Sequence, residues 1–501
     1  MKQALLFFAV LILITTSACR KDFDTVPSFG KLEFSKDTVF LDTIFSKIGS
    51  ATYNLKVYNR SNKAITIPQI KLENGVTSNY RLNVDGKSGK EFQDMDILAN
   101  DSIYVFIETT VDVNTITDPL YTDKILFDNG NNQQDVDLIT LVQDATFIFP
   151  SKNSMGIETL TINGEDTEIQ GRFLNDNELT FTNQKPYVIY GYAAVAANKT
   201  LTIEAGSKIH FHKNSGLIID EEASIQVNGT LNEKVIFEGD RLEHRFSNIP
   251  GQWGTIWLRS KSKENSINHA IIKNGTVGIL SDGTNSTSSS PTLSISNTEI
   301  YNNANYGILG RNTNINGENL VIGNTGQSAL ACTFGGTYNF THSTFANYWN
   351  NSFRQLPAVL VNNHITFINS NNEEVTETAD LAAANFTNCI ISGNNNVEFL
   401  LDRVETNKLF NYQIENSMIE FNDFNNSFAN IKELDFDDTD HYLNNIINGN
   451  TNFRDTAKND FIIGEESDAI NKAKPSSISE DILGVNRTTN PDIGAYQHIE
   501  F

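Results

Sequence analysis

Short runs of alternating apolar and polar residues recur along the chain between about residue 190 and residue 465. Each run holds one inward-pointing apolar residue, and these anchors are Ile272, Ile300, Ile322, Phe345, Ile391 and Ile419. The steps from 300 to 322 and from 322 to 345 span 22 and 23 residues, and the step from 345 to 391 is twice as long, which predicts one intervening coil. A period in this range predicts a solenoid whose coils bury their apolar faces only against their neighbours.

Coils of this length favour a right-handed parallel β-helix, because the aliphatic hexapeptide repeats of the left-handed type are absent from the sequence. About ten or eleven coils would form a rod about 50 Å long. An uncapped end would be a template for aggregation. We therefore expect the segment from about 148 to 190 and the residues after about 466 to cap the two ends.

Polar residues form two further columns beside the anchors. Three positions before the anchors lie His269, Asn297, Asn319, His342, Asn388 and Asn416. We predict an outward ladder of amides there, of the kind that parallel stacking favours; a metal or proton-transfer site at the two histidines is the alternative. Two positions after the anchors lie Asn274, Asn302, Asn324 and Asn347, which predict sharp corners because Asn tolerates the left-handed conformation.

The first residues predict export from the cytoplasm. Lys2 precedes a short apolar run, and small residues then lead to Cys19, which is typical of a signal peptide rather than a membrane span. The segment resembles the lipobox of bacterial lipoproteins, which implies lipidation at Cys19. Residues 1–18 are thus predicted to be a signal peptide and residues 19–28 a tether that holds the protein at a membrane.

Residues 29–147 lack the coil period and show short alternating strands around Tyr53–Val57, Ile65–Ile67, Ile103–Ile107 and Val136–Leu138. Turn signals such as Asp85-Gly86 separate them. About 120 residues of this kind predict an immunoglobulin-like β-sandwich. This domain would be a spacer between the lipid anchor and the solenoid, or would offer a sheet edge to a protein partner.

The excess of acidic over basic residues limits which molecules the protein could bind. The formal net charge is −24, from 61 acidic and 37 basic residues, and the lack of a basic cluster argues against nucleic acid. The charge also disfavours polyanionic glycans unless a cation bridges them. The turn Asp437–Asp440 could hold Ca²⁺ but does not match the EF-hand spacing, so no cofactor or metal is predicted. Cys332 and Cys389 are expected to be small buried residues without a disulfide.

Several segments resemble β-helix lipoproteins that are common in Bacteroidetes. They include Pro186–Gly191, TLTIEAGSKIHFHKNSGLIID, Gly251–Gly254, Gly335–His342, Asp481–Gly484 and Pro491–Tyr496, and they cover most of residues 185–500. The resemblance implies a right-handed parallel β-helix and a position in the outer membrane, where residues 20–24 resemble a surface-export signal. The group is largely uncharacterised, so the resemblance implies little chemistry.

The sequence leaves two classes of function open for the β-helix, an enzyme and a binding surface. Paired carboxylates of a polygalacturonase type are missing, so the better enzyme hypothesis is a polysaccharide lyase. Its candidate catalytic residues are Arg259, His269, Lys273 and Arg311, with Trp253 and Trp257 as candidate sugar-stacking residues. The competing interpretation treats these tryptophans as packing residues and the charges as an ordinary rim.

Together these observations predict an all-β protein, with an immunoglobulin-like sandwich at 29–147, a parallel β-helix at 148–465 and a C-terminal cap at 466–501. We predict an outer-membrane lipoprotein that presents its β-helix for glycan or surface interaction, without demonstrated catalysis; the alternative is a polysaccharide lyase or glycoside hydrolase that acts along a groove of the β-helix. A partner subunit that docks through residues 29–147 is a further possibility. The stretch from Gln355 to Asp380 and the loop from Asn285 to Ser290 break the period, and such excursions tend to mark the working face of a solenoid.

Overall fold

The computed structural model describes residues 24–154, 156–284 and 290–501. The chain divides into two compact units, which meet between Asp144 and Ala145, close to the predicted boundary. Cys19 and most of the loop from Asn285 to Ser290 lie outside the described residues. None of the described helices has the length and apolarity that a membrane span requires.

The first unit consists of two sheets packed face to face around one core, which includes Leu55, Ile67, Val105, Phe127 and Leu138. The predicted strands are present, and Asp85 and Gly86 both have positive φ at the tight turn between two paired strands. The immunoglobulin-like connectivity stays a prediction. The 6-stranded sheet contains Val26–Pro27, Thr38–Phe45, Ile65–Leu72, Glu91–Ile97, Leu120–Phe127 and Gln134–Gln143, and the 5-stranded sheet contains Glu33–Phe34, Tyr53–Tyr58, Tyr80–Val84, Lys87–Gly89 and Ser102–Thr109.

The second unit is a parallel β-helix with three faces, which confirms the predicted fold class. Face A is an 11-stranded parallel sheet with one strand from each coil, in agreement with the ten or eleven coils expected from the period. Its strands are Thr146–Ile148, Tyr187–Ile189, Lys208–Phe211, Val235–Gly239, Ala270–Lys273, Glu299–Asn303, Val321–Thr325, Thr344–Asn347, Ile390–Gly393, Met418–Ile419 and Ile446–Ile447.

Faces B and C belong to one 18-stranded sheet, and the chain passes from A to B to C in each coil. Face B contains Glu165–Phe173, Tyr192–Val195, Gly216–Ile219, Ile256–Leu258, Val277–Asp282, Val359–Asn362 and Phe399–Asp402. Face C contains Thr180–Phe181, Thr200–Glu204, Ser224–Asn228, Asn265–Asn268, Leu293–Ser296, Leu381–Thr387, Gln413–Glu415 and Tyr442–Leu443, while the long strands Tyr306–Glu318 and Leu330–Thr341 run through both faces.

Short elements complete the fold. Two-residue strands pair at Lys152–Asn153 and Gly156–Ile157, and hairpins are formed by Thr159–Ile162 with Glu165–Phe173, His364–Ile368 with Glu374–Thr378, and Phe453–Asp455 with Asp460–Ile463. The 3₁₀ turns are Gly75–Thr77, Val113–Thr115, Gly130–Asn132, Asp176–Glu178, His244–Phe246, Lys432–Leu434 and Thr456–Lys458.

The anchor register is as predicted, with one correction. Each anchor pairs with the next along face A, and all six are fully buried. Phe345 pairs directly with Ile391, so the predicted intervening coil is wrong. The additional residues instead form the loop before Val359 and the hairpin His364–Thr378, which projects from the coil.

Both predicted polar columns lie at corners of the coil. His269, Asn297, Asn319, His342, Asn388 and Asn416 all have φ between +46° and +56°, so this amide column is a stack of left-handed corners between faces C and A rather than an outward strand position. Asn274, Asn302 and Asn324 form the left-handed corners between faces A and B, as predicted. Asn347 does not have positive φ, and its amide instead donates to Thr325 O and Gln327 O.

The C-terminal segment, residues 453–501, lies along the side of the β-helix rather than at its end, and we call it the C-terminal tail. Phe461, Ile482 and Tyr496 pack against Val321 and Ala346 on the outer side of face A. Residues of this tail also accept hydrogen bonds from the amide column, from Asn319 to Glu480 O, Asn388 to Lys474 O and Asn416 to Lys472 O. The last coil is instead covered by aromatic residues between 421 and 442, among them Phe421, Phe428 and Phe436.

Candidate functional site

Two of the four predicted catalytic residues lie together, in a ladder of alternating charge where face B ends. Asp220, Arg259, Asp282 and Arg311 occupy equivalent positions on successive coils, since the residues before them pair in register. Arg259 is buried and forms an ion pair with Asp220, while Arg311 Nε donates to Asp282 Oδ1 at 2.6 Å. We call these four residues the charge ladder. Each arginine is committed to a carboxylate, which favours a structural role.

Lys273 lies elsewhere, in a column of polar side chains on the outer side of face A. His210, Glu238, Lys273 and Tyr301 are register neighbours on successive coils, and Lys273 Nζ is 2.9 Å from Glu238 Oε2. His210 Nδ1 is 3.7 Å from Glu238 Oε1. Burial lowers the pKa of His210 and raises that of Tyr301, so both side chains are uncharged at neutral pH.

His269 lies in the amide column, at the corner between faces C and A. Burial, and then the charge of Lys234, lower the pKa of its imidazole. It opens onto a cleft of 290 Å³ between this corner and the C-terminal tail. The structure therefore places His269 apart from the charge ladder, and the four predicted residues do not share one site.

The two predicted sugar-stacking tryptophans differ in exposure. Trp253 is 1% exposed, its ring stacks on Phe211 at 4.4 Å and its Nε1 donates to Lys273 O at 2.9 Å, so it presents no surface to a sugar. Trp257 is half-buried under the hairpin that contains Leu160, and its Nε1 donates to Asp282 Oδ2 at 2.8 Å. It thereby positions a carboxylate of the charge ladder.

An open groove of 680 Å³ lies at the corner between faces B and C, beside the charge ladder. Residues from successive coils line it, among them Glu222, Lys261–Glu264, Asn312–Asn314, Thr337, Ala382 and Leu409. Gly283, Thr284 and Ser290 at one excursion, and Asp380 at the other, border the same groove. Both excursions that break the sequence period therefore leave the coil at this corner.

The lining of the groove mixes polar and apolar surface, and its charged side chains are largely paired. Lys263 Nζ lies 2.6 Å from Glu222 Oε2, and Lys261 Nζ lies 3.0 Å from Glu221 Oε2. Asp380 lies 3.6 Å from Lys408 Nζ. Ser262, Thr292, Thr313 and Asn314 lie between them. Ser262 Oγ accepts from Asn265 Nδ2 at 3.1 Å and Thr313 Oγ1 is 3.0 Å from Ser281 Oγ, so these two buried hydroxyls already have partners within the chain. The paired charges leave the groove with little net charge.

A buried ion pair that sequence reasoning did not find supports the chain before the Val359 strand. Arg354 and Glu398 have side-chain exposures of 1% and 0%, and Arg354 Nη1 donates to Glu398 Oε2 at 2.8 Å. Glu398 also accepts from the backbone N–H groups of Ala358 and Asn395, both at 2.7 Å. Burial raises the pKa of this carboxyl, against the opposing effect of Arg354.

The acidic partners in the charge ladder were also missed, although the sequence carries a signal. The four ladder residues end the related segments GLIID, TIWLR, GILSD and GILGR, which share one apolar pattern and alternate in the sign of their last residue. Aligning face B as well as face A would have shown this alternation.

No cluster of three or more His, Cys, Asp or Glu side chains is placed to hold a metal ion within residues 24–154, 156–284 and 290–501. In the turn Asp437–Asp440, Asp438 accepts from Asp440 N at 3.0 Å and contacts His441 Nδ1 at 2.8 Å. The turn thus satisfies its own carboxylate. Cys332 and Cys389 are both buried free thiols, as predicted.

A family model described as a pectate-lyase-like β-helix domain matches residues 172–295, which lie in the β-helix unit. No curated protein matches the chain. A solved structure with some likeness is the catalytic unit of a thermostable GH87 α-1,3-glucanase from Streptomyces thermodiastaticus strain HF3-3. Its identity is 12% over 73% of this chain and 79% of that chain, with a TM-score of 0.26.

A second is a family 123 glycoside hydrolase from Clostridium perfringens that hydrolyses glycolipid glycans. Its identity is 10% over 23% of this chain, with a TM-score of 0.17, and the matched part spans 30% of that hydrolase. At these TM-scores neither likeness defines the activity of this chain. The family match and the observed strands establish the β-helix domain.

Proposed function

We propose that this chain is a non-catalytic protein of the cell envelope whose β-helix binds a neutral polysaccharide along the groove between faces B and C. The groove supports this proposal most strongly, because it crosses several coils and repeats polar side chains from coil to coil. Adjacent strands lie about 4.8 Å apart. A linear polymer in this groove would therefore meet similar hydrogen-bonding groups along its length.

The charges in and beside the groove favour a neutral ligand. Lys261 and Lys263 are paired with glutamates, and the arginines of the charge ladder are paired with aspartates. These four cations are therefore already neutralised and are not left to pair with the carboxylates of a uronate polymer. The formal net charge of −24 opposes a polyanion further. Binding would depend on hydrogen bonds between uncharged groups, so the affinity would change little with salt concentration.

Anchoring at the outer membrane through a lipid on Cys19 belongs to the same proposal. It rests on the N-terminal sequence, which lies outside the described residues. Mass spectrometry of the membrane-extracted protein tests it, because lipidation predicts a mature chain that begins at a diacylated Cys19. An unmodified Cys19 would contradict the anchor without affecting the groove.

The groove is tested by affinity electrophoresis of the chain from Lys21 onward through gels that contain neutral or anionic polysaccharides. The variant Ala382→Trp places a large ring in the groove at an exposed position, and Ala429→Trp places the same ring outside it. We expect retardation by at least one neutral polysaccharide, lost in Ala382→Trp and kept in Ala429→Trp. Equal retardation of both variants, or none of the parent chain, would overturn the proposal.

A polysaccharide lyase is the second candidate function, and the polar column on face A favours it. Lys273 and His210 lie beside Glu238, and Tyr301 follows Lys273 on the next coil, so the column combines a cation, an uncharged imidazole and a protonated phenol. Release of unsaturated uronate that disappears in Lys273→Ala would support a lyase. The same release in Lys273→Ala, or its loss only in Arg259→Ala, would contradict this placement.

A further inference from the structure

The 5-stranded sheet of the first unit carries exposed aromatic side chains on its outer side. In Tyr53–Tyr58 and Ser102–Thr109, alternate residues are buried in the core and the others point away from it. We call four of these outward side chains the aromatic face: Lys56, Tyr58, Tyr104 and Phe106. Tyr104 and Phe106 are 45% and 41% exposed, and their ring centroids lie 5.9 Å apart. Neighbouring exposed apolar groups of this kind are typical of interaction sites.

The aromatic face also carries positive charge. Lys56 Nζ lies 5.2 Å from the centroid of the Tyr58 ring and 5.3 Å from that of the Tyr104 ring. Arg60 lies over the other side chain contact of Tyr58, with its Cζ 4.2 Å from the ring centroid, and is paired with Glu33 at 2.9 Å. Within the part of the chain that the structure describes, no carboxylate lies within ion-pair distance of Lys56. Its charge is therefore left for a partner.

A groove of 460 Å³ continues the aromatic face at Phe106. Arg81 and Lys90 also line this groove. Arg81 Nη2 is 3.7 Å from Glu108 Oε2, whereas Lys90 Nζ donates to backbone carbonyl groups and not to a carboxylate. The groove therefore places an exposed aromatic ring beside cations that exceed the carboxylates around them.

The size of the sheet favours a short segment of polypeptide over a whole folded partner. Five strands about 4.8 Å apart, with central strands about 20 Å long, give an outer side of about 400 Å². A stable interface between two folded proteins usually buries about 800 Å² on each partner. An extended segment can use a smaller area, and its side chains can enter the groove at Phe106.

We infer that the aromatic face docks an acidic peptide segment of a partner protein. Apolar side chains of the segment contact Tyr104 and Phe106, and its carboxylates pair with Lys56 and Lys90. Protein interfaces are enriched in aromatic residues and arginine, which supports this class of partner. The formal net charge of −24 opposes a long polyanion, whereas a short segment places its charges at the local cations. The site lies on the side of the sheet rather than at its edge, and it is independent of the groove in the β-helix.

Selection of random peptides displayed on phage, with the chain from Lys21 onward as the immobilised target, would test this inference. A labelled synthetic peptide of the selected sequence is then titrated by fluorescence anisotropy. Lys56→Glu and Phe106→Ala alter the aromatic face. Lys71→Glu and Phe40→Ala make the same changes at outward positions of the 6-stranded sheet and are the matched controls.

We expect selected sequences rich in Asp, Glu and apolar residues, with affinity that falls as salt rises. The affinity should fall about tenfold or more in Lys56→Glu and Phe106→Ala and stay unchanged in both controls and in Ala382→Trp. Unfolding midpoints identify any variant that has lost its fold. The absence of selected peptides, a neutral or basic consensus, or equal affinity in folded variants and controls would overturn the inference. Retention of polygalacturonate that is lost in Lys56→Glu would assign the face to a glycan and overturn it as well.

Discussion

Two corners of the same β-helix have opposite chemistry and opposite exposure. The corner between faces C and A is the amide column, whose neutral side chains bond to each other and to the C-terminal tail that covers them. The corner between faces B and C carries the charge ladder and borders an open groove. One backbone repeat therefore produces a corner that the tail largely covers and a corner that stays open.

The difference follows from the partners that are available to the polar side chains at each corner. Where the tail covers His342 and Asn388, both fully buried, a neutral amide can bond to its neighbours and to tail carbonyl groups without leaving a charge buried. At the open corner, water and alternating ion pairs share the surface, so side chains can exchange protein contacts for ligand contacts. We conclude that the position of the tail decides which corner of this solenoid is available for binding.

The largest expected loss of stability follows from substitution of Arg487, which links parts of the tail and is called the clamp below. Arg487 is buried, its guanidinium donates to Gly494 O and Ala495 O, and burial lowers its pKa to about 10. Arg487→Met should reduce the free energy of unfolding by about 3 kcal/mol, because buried acceptors lose their charged donor. Urea denaturation measures this, and Lys472→Ala on the exposed side of the tail is the control. A loss no greater than that of the control would show that the tail does not depend on this clamp.

Substitution of Asn388 should have the next largest effect. Its amide donates to His342 Nε2 and Lys474 O, and its Oδ1 accepts from Lys474 N. Asn388→Ala should cost about 2–3 kcal/mol, since it removes these bonds and forces Ala into the left-handed region. Asn388→Gly keeps the backbone conformation available and should cost about 1 kcal/mol less. If both variants lost the same free energy of unfolding, the left-handed backbone at this position would make no contribution to the cost.

Stability should also depend on pH, because His342 is buried at the corner between faces C and A. Burial, and then Arg487, lower the pKa of His342 to about 3. Because the unfolded state binds the proton more tightly, stability is complete above about pH 6.5 and falls between pH 6.5 and 3, with a loss of about 2 kcal/mol at pH 5.

His342→Asn tests this dependence, because Asn occupies the same place on neighbouring coils. At pH 7.5 the variant should resemble the parent chain, and at pH 5 it should be the more stable of the two. Denaturation at both pH values provides the comparison. A pH dependence unchanged by the substitution would assign the effect to other groups.

The smallest effect is expected at the open corner. The Arg311 side chain is 42% exposed, so its pair with Asp282 should contribute under about 1 kcal/mol and weaken in high salt. A double-mutant cycle with Arg311→Ala and Asp282→Asn measures this coupling. The buried Arg259–Asp220 pair is the matched comparison and should show the larger coupling. A stronger coupling at Arg311 would contradict the distinction between the two environments.

Sequence periodicity predicted the features that depend on local repetition. The anchors and most left-handed asparagines follow from alternation and backbone preference, both of which act within one coil. Asn347 departed from its column because its amide satisfies backbone groups around Thr325, a requirement set by tertiary contact.

Features that depend on distant contacts were predicted less well. The tail has no period that could indicate its path over face A, and its apolar residues Phe461, Ile482 and Tyr496 are far apart in sequence. The direct pairing of Phe345 with Ile391 was hidden because the hairpin added nearly the length of one coil. Within the candidate site, the groove follows from the positions of the excursions, but the carboxylate partners of Arg259 and Arg311 required alignment of face B.

The central claim, that the open corner binds a polysaccharide, is tested most directly by thiol protection. Cys332 and Cys389 are buried and burial raises the pKa of each, so the chain from Lys21 onward should react slowly with maleimide. Ala382→Cys places a thiol in the groove, and Ala429→Cys places one outside it. We predict that a retained neutral polysaccharide slows labelling at position 382 and leaves position 429 unchanged. Equal labelling rates at position 382 with and without a retained polysaccharide would contradict the account.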